Sequence, residues 1–113
     1  MRLEVNKYLY DIQHAASLVM QFTAGKTFDE YAQNAMLRLA VERAFTIIGE
    51  ALSQLARLDP ALAAQFGEYQ RIIAFRNILI HAYAEVDDRI VWDVIEQKLP
   101  ALYQQATSLM NKS

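Results

Sequence analysis

Apolar residues return at every third or fourth position through most of the 113-residue chain, the repeat of helices with one buried face. Leu3, Tyr10, Ala15, Leu18, Val19 and Phe22 predict a first helix over about Leu3 to Phe22. Thr23-Ala24-Gly25-Lys26 stops it with a glycine signal. Thr27-Phe28-Asp29-Glu30 has the form of a capping box, Thr27 as N-cap and Glu30 three residues on, so a short helix should follow. A second long helix is predicted from about Asn34 to Leu58, its stripe formed by Leu37, Val41, Ala44, Ile48, Ala51, Leu52 and Leu55. Asp59-Pro60 ends it. Residues 60 to 68 read as a connection with one turn of helix. A third helix is expected from about Glu68 to Ala82. Asp87 or Asp88 then caps a last helix from about Arg89 to Met110, kinked or interrupted at Pro100. No alternating strand pattern, hairpin signal, internal repeat or low-complexity linker is visible. The expectation is a single domain over 1–113: an all-α, up-and-down bundle of four to five helices.

Composition narrows the function classes. Hydrophobic residues make up 54% of the chain. A small bundle has little interior, so part of that apolar surface should face a partner chain. With no cysteine, disulfides, thiolate metal sites and cysteine nucleophiles are excluded, and a cytoplasmic location fits. No apolar run approaches the ~18 residues of a membrane span, and MRLEVNKYLY has no signal-peptide core. The net charge of −2 is not that of a generic phosphate binder. Contact with nucleic acid would need a local cluster, formed with a second subunit if necessary.

The chemistry concentrates in RNILIHAY, residues 76 to 83, where Arg76, His81 and Tyr83 interrupt what otherwise reads as core helix. Asn77 and His81 share a face at four-residue spacing. Arg76 and His81 sit about 140° apart on a straight helix. A long arginine side chain, local unwinding, or a second copy of the helix across a two-fold axis could bring them together. A histidine in the last turn suits acid–base work near neutral pH. Arg76 suits holding a phosphate and the charge that develops on it. The pair would serve RNA cleavage by its own 2′-hydroxyl, a route that requires no metal or other cofactor. On spacing alone, a structural Arg–His pair at a subunit interface is the stronger reading.

The remaining polar positions read more plainly. Glu50, on a helix expected to pack against the third, could bond Arg76 or His81 or be a surface carboxylate. Asn77 could orient the His81 ring or cap a backbone group. Arg71, and the pair Glu42 and Arg43, read as solvated. His14 lacks companions at metal-ligand spacing and reads as structural. Trp92 belongs to an apolar stripe with Ile95 and Leu99 and reads as core. Asp87-Asp88 reads as a helix cap, and no Gly-rich phosphate loop appears.

RNILIHAY resembles the R-N-x-x-x-H-x-Y signature of the HEPN superfamily, in the branch typified by the HepT toxin. IIGEAL (47 to 52), IIAFRN (72 to 77), VDDRIVWDVIEQKLPAL (86 to 102), YLYDIQHA (8 to 15) and TAGKTFDEY (23 to 31) resemble that branch in the same order and spacing. The resemblance implies a homodimeric helical bundle and a metal-independent ribonuclease toxin, with transfer RNA a substrate class. Arg76 and His81 would be catalytic, with Asn77 accompanying the arginine. It also implies a cognate MntA-like nucleotidyltransferase antitoxin that transfers AMP to Tyr83. A bulky anionic group there would offset Arg76 and block RNA. The alternative is a non-catalytic helical companion that presents a nucleotide or substrate to a nucleotidyltransferase.

Overall fold

The computed structural model describes residues 2–81 and 86–111. Among them it forms seven helices: α1 (Arg2–Thr23), α2 (Phe28–Ala32), α3 (Ala35–Leu58), α4 (Pro60–Ala64), α5 (Tyr69–His81), α6 (Asp88–Gln97) and α7 (Leu99–Asn111). The four long helices expected from periodicity are all present. The count rises because both short connections become helical turns and the last helix breaks at Lys98. Pro100 lies in the first turn of α7, where its missing N–H costs nothing but ends the preceding ladder.

Local chemistry sets the boundaries. Gly25, at φ +73°, turns the chain after α1. The α2 capping box is complete: Thr27 Oγ1 accepts from the Glu30 N–H at 3.2 Å, and the Glu30 carboxylate accepts from the Thr27 N–H at 2.8 Å. Asn34, Asp59 and Asp87 cap α3, α4 and α6 through their side chains.

α3 is the axis of the molecule and packs against α1, α2, α4 and α5. α1 is also covered by α7, and α6 bridges α2 and α7. The whole predicted α3 stripe is buried. α1 differs from its prediction. Its core face is Val5, Leu9, Ile12, Ala15, Ala16 and Val19, whereas Leu3, Tyr10 and Phe22 are exposed, Leu3 at 86%. The helix carries two apolar stripes, and the predicted one mixed them. Its outer stripe includes His14, whose ring stacks on Tyr10 at 5.4 Å. Trp92 is core, packed on Tyr31 at 5.4 Å.

α5 is the least embedded long helix. It lies against α3 and buries only Leu79 fully among its described residues. The face it turns to α6 and α7 borders a groove of about 620 Å³ lined in part by Phe66, Ile72, Phe75, Val94 and Leu102. At the rim Glu68 pairs with Lys98 at 2.8 Å and Arg71 at 3.1 Å. Arg71 is thus exposed, as expected, but engaged.

Candidate active site at the crossing of α3 and α5

The two helices meet where α3 has no side chain. Gly49 is buried, and a Cβ built on it would fall 2.3 Å from Arg76 Cβ and 2.5 Å from its Cγ. The stem of Arg76 therefore lies directly on the α3 backbone. Its guanidinium emerges beside the next residue, Glu50, with Nη1 at 3.6 Å from Oε2. Glu50 also faces Gln54 Nε2 at 3.5 Å.

Burial of the pair is unequal: the Arg76 side chain is 17% exposed and that of Glu50 55%. Arg76 Nε is buried and has no hydrogen-bond partner among the described residues. The arrangement fixes the cation and leaves its counter-ion free to leave. An anionic oxygen arriving from solvent can replace the exposed carboxylate, while the arginine stem stays where Gly49 lets it lie.

Arg76 opens into a groove of about 390 Å³ between α1, α3 and α5, lined also by Lys7, Tyr8, Asp11, Arg43, Glu50 and Ile80. His81 occupies the exposed last turn of α5 and lies outside that groove. Asn77 is exposed too, and among the described residues it exchanges no hydrogen bond with His81. The structure thus brings Arg76 and Glu50 together within one chain, while His81, five residues on in α5, does not line their groove. Tyr83 lies outside the described residues. Among the described residues, no cluster of three or more His, Cys, Asp or Glu could hold a metal ion, and no helix is long and apolar enough to cross a membrane.

The exposed character of the site differs from the core helix that RNILIHAY suggests. Ile78 is 53% exposed and Ile80 38%, so the apolar residues flanking the site face outward in the single chain. Gly49 is the site residue that spacing did not single out. It lies inside the IIGEAL segment, but a glycine's duty depends on what crosses it, and that is a tertiary fact.

Glu42, read as solvated, is half-buried. Burial raises its carboxyl above the usual range, nearby Asp88 adds to the shift, and Arg38 opposes it. Tyr31 is fully buried beside this group, and burial likewise pushes its phenol up. Arg43 is exposed as expected, yet it lines the groove that Arg76 enters.

Comparison with known proteins adds to this geometry. The family model described as ribonuclease HepT-like matches residues 12–109. A candidate RNase of Methanocaldococcus jannaschii is 33% identical, covering 90% of this chain and 93% of its own length. The probable ribonuclease HepT of Thermococcus cleftensis is 33% identical, covering 84% and 86%. A candidate RNase of Caldanaerobacter subterraneus is 28% identical over 93% of each chain. No solved structure matches.

Proposed function

Because the chain belongs to the HepT-like ribonuclease family, we propose that it cleaves RNA and that Arg76 holds the scissile phosphate. The observation that carries this reading is the Arg76 side chain seated on Gly49 and faced by an exposed, displaceable Glu50. In the reaction His81 takes the proton of the attacking 2′-hydroxyl or returns one to the departing 5′-oxygen. Arg76 stabilises charge on the phosphoryl oxygens. The 2′-oxygen–phosphorus bond forms as the 5′-oxygen–phosphorus bond breaks, leaving a 2′,3′-cyclic phosphate and a 5′-hydroxyl. Asn77 and Glu50 support the pair, Asn77 beside the arginine in sequence and Glu50 as its resting counter-ion.

His81 lies outside the Arg76 groove of its own chain, so the reading calls for a homodimer in which His81 of a second copy completes the site. The outward-facing Ile78 and Ile80 support that assembly. The same separation also favours, as a second reading, a non-catalytic companion of a nucleotidyltransferase. Wild type and His81→Ala, both verified as folded, are incubated with end-labelled transfer RNA in excess EDTA. Cleavage by the wild type alone, ending in a cyclic phosphate or its hydrolysis product, is the expected result. Intact RNA across several RNA classes would leave the companion reading.

The wider role proposed is that of a cytoplasmic toxin whose antitoxin, an MntA-like nucleotidyltransferase, places AMP on Tyr83. Intact-mass measurement after incubation with that enzyme and ATP should show added AMP. A mass gain that persists in Tyr83→Phe would exclude Tyr83 as the acceptor.

A further inference from the structure

The groove that receives Arg76 extends well past the reacting residues. It runs along α3 from Glu50 to Arg43 and is walled on the other side by Lys7, Tyr8 and Asp11 of α1. Two of its three cations are engaged: Arg76 faces Glu50, and Lys7 bonds Asp11 at 2.9 Å. Arg43 is exposed and makes no ion pair among the described residues. The groove therefore carries one positive charge in excess, on a chain whose net charge is −2. It also holds an aromatic ring, with Lys7 Nζ 5.2 Å from the Tyr8 centroid.

Arg43 lies seven positions before Glu50, the residue that marks the Arg76 end. At about 1.5 Å per residue this is about 10 Å along the helix. A stacked nucleic-acid strand advances ~3.4 Å per nucleotide, so the distance is about three nucleotide steps. A cationic track interleaved with an aromatic face is the arrangement that binds single strands without reading a duplex. An acidic peptide would use the cations but leave the ring without a planar base to stack.

We propose that this groove carries the single-stranded RNA leading away from the scissile phosphate, with Arg43 on a phosphate about three nucleotides along and the Tyr8 ring under a base. The proposal rests on the ribonuclease reading and names the path of its substrate. Arg43 and Tyr8 are binding residues and take no part in bond breaking. Lys7 contributes less, because Asp11 must release it first.

The test uses His81→Ala as parent, so that RNA is bound and not cut. Anisotropy of a short fluorescein-labelled single-stranded RNA is read across a salt series. Arg43→Gln should weaken binding about tenfold and lower the slope of log affinity against log salt by about 0.7, one single-strand phosphate contact. Arg43→Lys should keep the slope. Tyr8→Leu should weaken binding about tenfold, and Tyr8→Phe should not, because the phenyl face still stacks. An RNA duplex should bind less tightly and be indifferent to Tyr8.

Folded Arg43→Gln and Tyr8→Leu that bind as the parent does would overturn the path. If Arg76→Ala still abolished cleavage in the His81 background of the wild type, the ribonuclease reading would survive that result. A parent that binds no single-stranded RNA would overturn the path, and the ribonuclease reading would fall with it only if the wild type also left transfer RNA intact. A changed oligomeric state in Arg43→Gln, with RNA affinity intact, would make the groove a protein interface and overturn the proposal.

Discussion

A methyl group at position 49 would sit 2.3 Å from Cβ of Arg76, closer than two unbonded carbons can approach, so α3 and α5 touch there because residue 49 is glycine. Gly49→Ala gains about 1 kcal/mol of helix propensity. It must also push the helices apart, and such overpacking costs about 1–3 kcal/mol. We expect a net loss of stability in urea unfolding and a fall of at least about tenfold in RNA cleavage, as the guanidinium leaves its position. An unchanged or raised midpoint would refute the packing argument. Glu42 tests charge instead. Burial first, then Asp88, raises its folded carboxyl, so the folded chain favours the protonated form. The resulting penalty is absent below the unfolded value of about 4.3. It grows as pH rises through the folded value and is constant above. Glu42→Gln removes it. The midpoint of Glu42→Gln relative to wild type should climb with pH over that window and then level off; a gap that shrinks with rising pH would reverse the sign.

At the scale of elements, α2 is too short to persist by propensity and depends on its cap and its cover. Phe28 meets Trp92 edge-on at 6.5 Å and carries the Arg89 guanidinium 3.8 Å above its ring. Thr27→Ala should cost about 1 kcal/mol and alter Trp92 fluorescence; stability and emission both unchanged would show that packing alone holds α2. Elements with one apolar face were legible in the chain itself. The α3 stripe read from spacing is buried throughout, although Met36, Leu39 and Ile47 stand exposed beside it; the capping box and the Pro100 break followed from local chemistry. α1 was legible as a helix but not in its orientation, because Leu3 and Tyr10 compete with Val5 and Leu9 as a stripe and only packing against α3 and α7 decides. In the site, Glu50 was readable as a partner for Arg76. Gly49 and Arg43 were not, since a crossing point and a shared groove join residues far apart in sequence.

For the whole molecule, the proposed completion of the Arg76 site by His81 of a second copy, beside the exposed Ile78 and Ile80, predicts that activity depends on assembly. Ile78→Glu should leave helical content intact, shift the chain to monomer in sedimentation, and abolish cleavage. A monomeric wild type that cleaves RNA would remove the dimer from the argument. The groove beside α5 has a consequence of another kind. That helix packs chiefly on α3 and is tied to the α6–α7 junction through the exposed Lys98–Glu68 pair, a contact worth little in water. Its backbone amides should trade their protons for deuterons through an opening far smaller than global unfolding, well before those of α1 and α3 do. The segment bearing the arginine would then be the first cooperative unit to open, and the one whose protection a bound RNA strand most increases.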